Sequence, residues 1–189
     1  MGGEPKGLQR LGRLRLLDHV VEALEQVTGT IVIAANDPSA AEWIPGLSVL
    51  ADVHPGSGGL AGVEAALRTG RDAIVVAWDM PFVNGPLLQS LVDTAKATDA
   101  DAVLPASDSP HGGGIEPFCG YYSQRLLSAL SEFLDAGGGA AHVFARRVPR
   151  LHVLSREDVA RAGDPARLLF SVNSREDLDR ARALAGTTQ

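Results

Sequence analysis

Of the 17 basic side chains in the sequence only Lys6 and Lys96 are lysine, and Lys6 follows the glycine pair Gly2-Gly3 in "MGGEPKGL". A lysine ammonium is a compact charge with three donors, suited to neutralising a polyphosphate as it breaks. Asp79 is the second candidate. It closes "DAIVVAWD" (72–79), the most apolar strand-like run in the chain. Open α/β sheets bind their ligands at the carboxyl ends of the strands, and a carboxylate held there can present Mg2+ to a nucleotide phosphate. The plain alternatives are a surface lysine and an aspartate that shapes the turn before Pro81. Between them lies "HPGSGGLAG" (54–62), a glycine loop opening into a helix. Gly56, Gly58 and Ala61 align with a dinucleotide-binding pattern, though Pro55 makes the turn looser than that pattern requires. Asn173 precedes a capping pattern, Ser174 followed by Asp177, where its amide can reach a ligand or serve only the local turn.

These residues need a scaffold, and the apolar pattern supplies one. Leu16, Leu17, Val20, Val21, Leu24 and Val27 recur at helical spacing. Short apolar runs at 29–37, 46–52, 72–79 and 99–106 read as strands, with helices after the glycine loop and after Asn84, whose side chain and Pro86 form a helix start. Further on, 114–123 and 150–155 read as strands, 124–136 as a helix stopped by Gly137, and a short helix ends at Arg146 and Arg147. A last helix follows Ser174. Alternating strands and helices predict a three-layer α/β/α fold with a mostly parallel sheet in a single domain.

Composition narrows the function. With 189 residues and 45% hydrophobic content the chain can bury one sizeable core. The net charge of -6 and the scattered basic residues argue against nucleic acid and against an anionic membrane surface. Cys119 is the single cysteine, expected in the core, and the five histidines show no ligand spacing. His54 is expected at the surface. The reading is of a cytoplasmic protein. Arg146, Arg147 and Arg150 are expected either to meet an anionic acceptor or to form a solvated basic surface.

The order of the segments resembles one family. Gly-Gly-x-x-Lys before the first helix, "GGLAGVEAAL", "WDMPFV", "EPFCGYYS" and "SVNSREDLDRA" together resemble the molybdenum cofactor guanylyltransferases and their nucleotidyltransferase relatives, over nearly the whole chain. The resemblance implies a half-Rossmann-like sheet of the nucleotide-diphospho-sugar transferase type and transfer of GMP from GTP to molybdopterin phosphate, with Mg2+ and release of pyrophosphate. It assigns Lys6 to the triphosphate and Asp79 to the metal. Gly2, Gly3, Asn36, Asp52, Gly59 and Gly62 are implied to approach the nucleotide, and Asn173 the substrate. It also implies transient partners among the proteins of cofactor synthesis. The family begins with a strand and a longer glycine loop that precede the equivalent of Gly2, so a sheet without its first strand is expected. Asp79-Met80-Pro81 and Asn173 lean towards guanosine over cytidine. The alternatives are a related cytidylyltransferase, a non-catalytic nucleotide-binding module, and an NAD-linked protein using the loop at 56–61.

Overall fold

The computed structural model describes residues 5–108 and 113–186. A 3-10 turn, Lys6–Leu8, leads to a hairpin of β1 (Arg10–Leu11) and β2 (Leu14–Arg15) and then α1 (Leu16–Glu25). There follow β3 (Val32–Ala34), α2 (Ala40–Trp43), β4 (Ser48–Leu50), α3 (Gly59–Leu67) and β5 (Ala73–Val76). The chain continues with α4 (Gly85–Thr98), β6 (Ala102–Pro105), β7 (Cys119–Tyr122), α5 (Leu127–Asp135) and α6 (Ala141–Ala145). It ends with β8 (Leu151–Leu154), α7 (Arg156–Ala160), α8 (Pro165–Leu168) and α9 (Arg175–Gly186).

The strands are joined in the order β5-β7-β6-β8, with β6 and β8 parallel and β7 antiparallel to both its neighbours. β5, β6 and β8 therefore run the same way, and β7 alone is reversed. A second pair, β3 and β4, is parallel. Period-two alternation sends side chains to two faces. Val103 and Cys119 pack with Leu87, Leu88 and Leu91 of α4, while Ala102, Leu104 and Tyr122 pack with Leu60, Val63 and Leu67 of α3 and Leu130 and Phe133 of α5. Those two cores give the α/β/α layering expected from the sequence. Cys119 is fully buried as expected, and burial pushes its thiol pKa far up, which leaves it unreactive.

Helix ends follow their local chemistry. Asn84 accepts a bond from the Leu87 amide at 3.0 Å, and the Ser174 hydroxyl accepts from the Asp177 amide at 3.1 Å while the Asp177 carboxylate takes the Ser174 amide at 2.9 Å. The expected strand at 114–123 is confined to Cys119–Tyr122. Ile115 makes only an isolated bridge with Ala106, and Pro117 has no N–H for the ladder, so the continuous strand starts after it. The β1–β2 hairpin, α2, α7 and α8 were not expected. Each is too short to carry a periodic signal, and each is held by tertiary contacts: Leu11 and Trp43 are almost fully buried.

β3 and β5 are not hydrogen-bonded to each other. α3 packs against both, and residues 31–35 and 74–79 line one cavity, so the two strand edges face it from opposite walls.

Candidate active site

The carboxyl ends of β3, β4 and β5 carry Asn36, Asp52 and Asp79, and all three line a single cavity of about 1370 Å³. A volume of this size exceeds the ~300–1,000 Å³ usual for small-molecule sites, because it runs from the strand ends down between the edges of β3 and β5.

Lys6, Asp79 and Asn173 come together although 167 residues separate the first from the last. Two bonds do this. The Val172 amide donates to the Asp79 carbonyl at 2.8 Å, which fastens the segment before α9 to the end of β5. Lys6 Nζ then donates to Asn173 Oδ1 at 3.3 Å. Asp79 itself is half-buried: burial pushes its carboxyl pKa up, and its own backbone amide and the Lys6 charge offset this only in part. Glu116, at the turn before β7, lies within electrostatic reach. Its pKa is raised by burial and then by the Asp79 charge, although the Phe118 amide donates to Oε1 at 3.1 Å. Two partly desolvated carboxylates beside one lysine make a site that favours a cation.

Asn36 and Asp52 close on each other. The Asn36 amide donates to Asp52 Oδ2 at 2.8 Å, and the Asp52 backbone N–H donates to Asn36 Oδ1 at 2.8 Å. Asn36 thus spends contacts on orienting the Asp52 carboxylate at the cavity wall. Burial raises the Asp52 pKa, with Asn36 opposing.

Gly59 and Gly62 lie at the start of α3, and both line the cavity. Added to Gly59, a Cβ would stand 2.4 Å from Cε1 of Phe118, so the helix start can carry a side chain here only if the Phe118 ring before β7 moves. At Gly62 it would meet the Ala34 methyl at 3.3 Å. No side chain caps α3, and with the Ala61 N–H donating to the Gly58 carbonyl at 3.1 Å it is the amides of Gly59 and Leu60 that can meet an anion, aided by the helix dipole. Gly2 and Gly3 lie outside the described residues.

The glycine loop is fastened by a charge cluster around the buried Glu64, a cluster that the sequence did not reveal. His54 was expected at the surface. It bonds Glu64 through Nδ1 at 2.6 Å and Asp135 through Nε2 at 2.9 Å, and Glu64 is fully buried and also bonded by Arg68 at 2.7 Å and the Ser131 hydroxyl at 2.6 Å. Asp135, then Glu64, raises the His54 pKa above its ordinary 6.5. Burial opposes ionisation of Glu64, yet bonds from Ser131, His54 and Arg68 outweigh it and hold the carboxyl below 4.5. The imidazolium contribution to stability is complete below pH 6.5 and is lost as pH rises through the raised folded value; that of Glu64 is complete above pH 4.5 and is lost as pH falls through its lowered value. Wild-type protein is therefore expected to lose stability from pH 6.5 upward, and His54→Gln to flatten that slope, in urea midpoints measured at several pH values. Equal slopes for the two proteins would contradict the assignment.

The three arginines do not join the cavity. Arg150 is engaged with Asp101 at 2.8 Å and with Asp99, alongside Arg125, and Arg147 lies 4.8 Å above the Phe133 ring. Glu116, Trp43, Trp78 and Phe118 line the cavity and were not singled out in the sequence. The signal for Trp78 was its place directly before Asp79, and for Glu116 its place before Pro117.

Residues 1–152 match the family described as the MobA-like NTP transferase domain. A molybdenum cofactor guanylyltransferase from Cereibacter sphaeroides is 35% identical over 97% of this chain and 90% of its own length. A probable molybdenum cofactor guanylyltransferase from Chloroflexus aggregans is 32% identical over 92% and 82%. The crystal structure of molybdopterin-guanine dinucleotide biosynthesis protein A from Archaeoglobus fulgidus superposes with a TM-score of 0.83 at 25% identity, over 98% of this chain and 93% of that one. The 2-C-methyl-D-erythritol 4-phosphate cytidylyltransferase of Thermus thermophilus shares the fold, with a TM-score of 0.65 at 19% identity over 96% and 94%. The glycine loop thus belongs to a nucleotidyltransferase and not to an NAD-linked protein, and the chain is a member of the MobA-like NTP transferase family.

Proposed function

We propose that the protein transfers GMP from GTP to the phosphate of molybdopterin, releasing pyrophosphate, as a single nucleotidyltransferase domain acting in the cytoplasm on small molecules, without nucleic acid or membrane. Among the described residues no helix is long and apolar enough to cross a membrane. The observation that carries the reading is the meeting of Asp79 and Asn173, the latter bonded by Lys6 at 3.3 Å, in the lining of a cavity that also takes in the Asn36–Asp52 pair and the start of α3. Relatives named guanylyltransferases, matched over nearly the whole chain, support the choice of nucleotide and acceptor.

The reaction needs no protein nucleophile. An oxygen of the acceptor phosphate attacks the α-phosphorus of GTP, a P–O bond forms, and the bond from that phosphorus to the bridging oxygen of the β-phosphate breaks. Pyrophosphate leaves with the bonding pair. Catalysis of this kind rests on positioning and charge neutralisation. Lys6 would neutralise the departing phosphates, the first amides of α3 would hold phosphate oxygens, and the oriented Asp52 carboxylate would accept from the nucleoside.

The donor set fits Mg2+. Asp79 offers a hard oxygen whose desolvation a cation would relieve, and Glu116 adds negative field. Among the described residues no three acidic, histidine or cysteine groups are placed to hold a metal ion together, so phosphate oxygens and water would complete the shell, as is usual for this ion. When bound, Mg2+ would supply Lewis-acid stabilisation of the charge that builds on the phosphates.

The test is incubation of the protein with molybdopterin, Mg2+ and either GTP or CTP, reading nucleotide incorporation and pyrophosphate. Incorporation with GTP well above CTP is expected. Preference for CTP would make it a cytidylyltransferase, and no incorporation with either would leave a binding module.

A further inference from the structure

The Lys6 turn does not rest on the sheet backbone. It rests on an indole. Gly7 is buried, and a Cβ placed on it would stand 2.8 Å from both Cδ2 and Cε3 of Trp78 and 3.0 Å from Cγ. Cδ2 is a ring-fusion carbon, reachable only over the face of the indole, so the backbone at Gly7 lies flat on that face. Trp78 connects the end of β5 to Asp79, and Gly7 is bonded directly to Lys6. The contact therefore joins the two charged groups of the site through one residue on each side.

Trp78 is half-buried and borders the cavity, and its packed side is braced. Its ring stands 5.0 Å from that of Trp43, with the planes tilted by 36°. Trp43 is almost fully buried, its indole N–H donates to the Ser39 hydroxyl at 3.0 Å, and Ser39 donates in turn to Asp37 at 2.7 Å. Leu17, Ile33 and Leu8 pack around the same pair. On that packed side a displacement is transmitted instead of absorbed.

We infer that Trp78 is a positioning residue for Lys6: its indole face sets the height of the lysine turn above Asp79, and residue 7 must be glycine because the ring occupies the space of a side chain. This rests on the reading of Lys6 and Asp79 given above. A methyl group at position 7 lifts the turn by roughly the distance at which misplaced groups lose about a hundredfold in rate.

The test is a double-mutant cycle of Gly7→Ala and Trp78→Leu, with kcat for GMP transfer, KM for GTP and the thermal midpoint measured for all four proteins. Gly7→Ala is expected to lower kcat about a hundredfold while changing KM less than about threefold. Trp78→Leu alone also lowers kcat, since the turn loses its support. In that background Gly7→Ala should cost little further, because the ring it would strike is gone. An equal cost of Gly7→Ala in both backgrounds, or no cost in either, overturns the inference. A thermal midpoint that falls in step with kcat assigns the contact to stability and overturns it too. The α-proton shift of Gly7 in NMR spectra gives a reading without catalysis. Protons over an indole face are displaced upfield, and Trp78→Leu should abolish the displacement. If the wild-type protein transfers no GMP, the proposed function fails, and the shift alone decides this inference: a Gly7 signal indifferent to Trp78→Leu overturns it.

Discussion

Asp79→Ala is expected to lower GMP transfer by more than about a thousandfold while the fold stays intact, since the change removes the anionic ligand proposed for the metal at the point where charge would build up. The two halves of the expectation have separate causes. The structural cost is small: Asp79 carries its connection to the segment before α9 on its carbonyl, through the Val172 amide, and alanine keeps that bond. Its carboxyl also sits at an unfavourable site, with its pKa pushed up by burial, so removing it relieves a desolvation cost. The catalytic cost is large because Lys6 is then left to face the triphosphate alone. Pyrophosphate release and a thermal midpoint, measured on the same preparation, check both halves. Retained transfer would sink the assignment of Asp79, and a collapsed fold would show that the residue is structural.

Lys6→Ala is expected to lower kcat by about a hundredfold to a thousandfold, the range seen when one preorganised donor to developing charge is removed. The side chain is partly exposed, and its bond to Asn173 at 3.3 Å is a surface contact, so stability should hardly change. Lys6→Arg should not restore full activity, because a planar guanidinium cannot place a point charge where the ammonium sat against the Asn173 amide. Steady-state rates with GTP for the three proteins decide the matter. Full activity in Lys6→Ala would remove Lys6 from the mechanism.

Much of the fold was legible in the sequence because its elements carry their own signals. The apolar stripe from Leu16 to Val27 predicts a helix, and α1 occupies Leu16–Glu25. The runs ending in Asn36, Asp52 and Asp79 predict strands, and β3, β4 and β5 lie within them, shorter than expected because only the residues that pair are strand. Asn84 and Ser174 predict helix starts, and both side chains cap. The reversed direction of β7 was not legible. Cys119–Tyr122 reads the same in either direction, and its place between β5 and β6 is decided by which edges its backbone can satisfy.

The candidate site divides in the same way. Residue type and position after a strand point to Asp79, and the rarity of lysine points to Lys6, because those properties are local. The bond from Lys6 to Asn173 spans the chain, the Asn36–Asp52 pair spans two strands, and the His54–Glu64–Asp135 cluster joins three elements. His54 shows why such groups escape a reading of the sequence: its neighbours on the chain are loop residues, and its charge partners come from α3 and α5. The sequence alone determined which elements form and which residues stand at their ends, since capping and periodicity act over a few residues. Only the tertiary structure decided that Gly7 lies on the Trp78 ring, that Gly59 meets Phe118 and that Glu116 and Asp79 line one cavity. Those contacts depend on how distant elements approach within a few tenths of an ångström, and close packing, not local propensity, sets that approach.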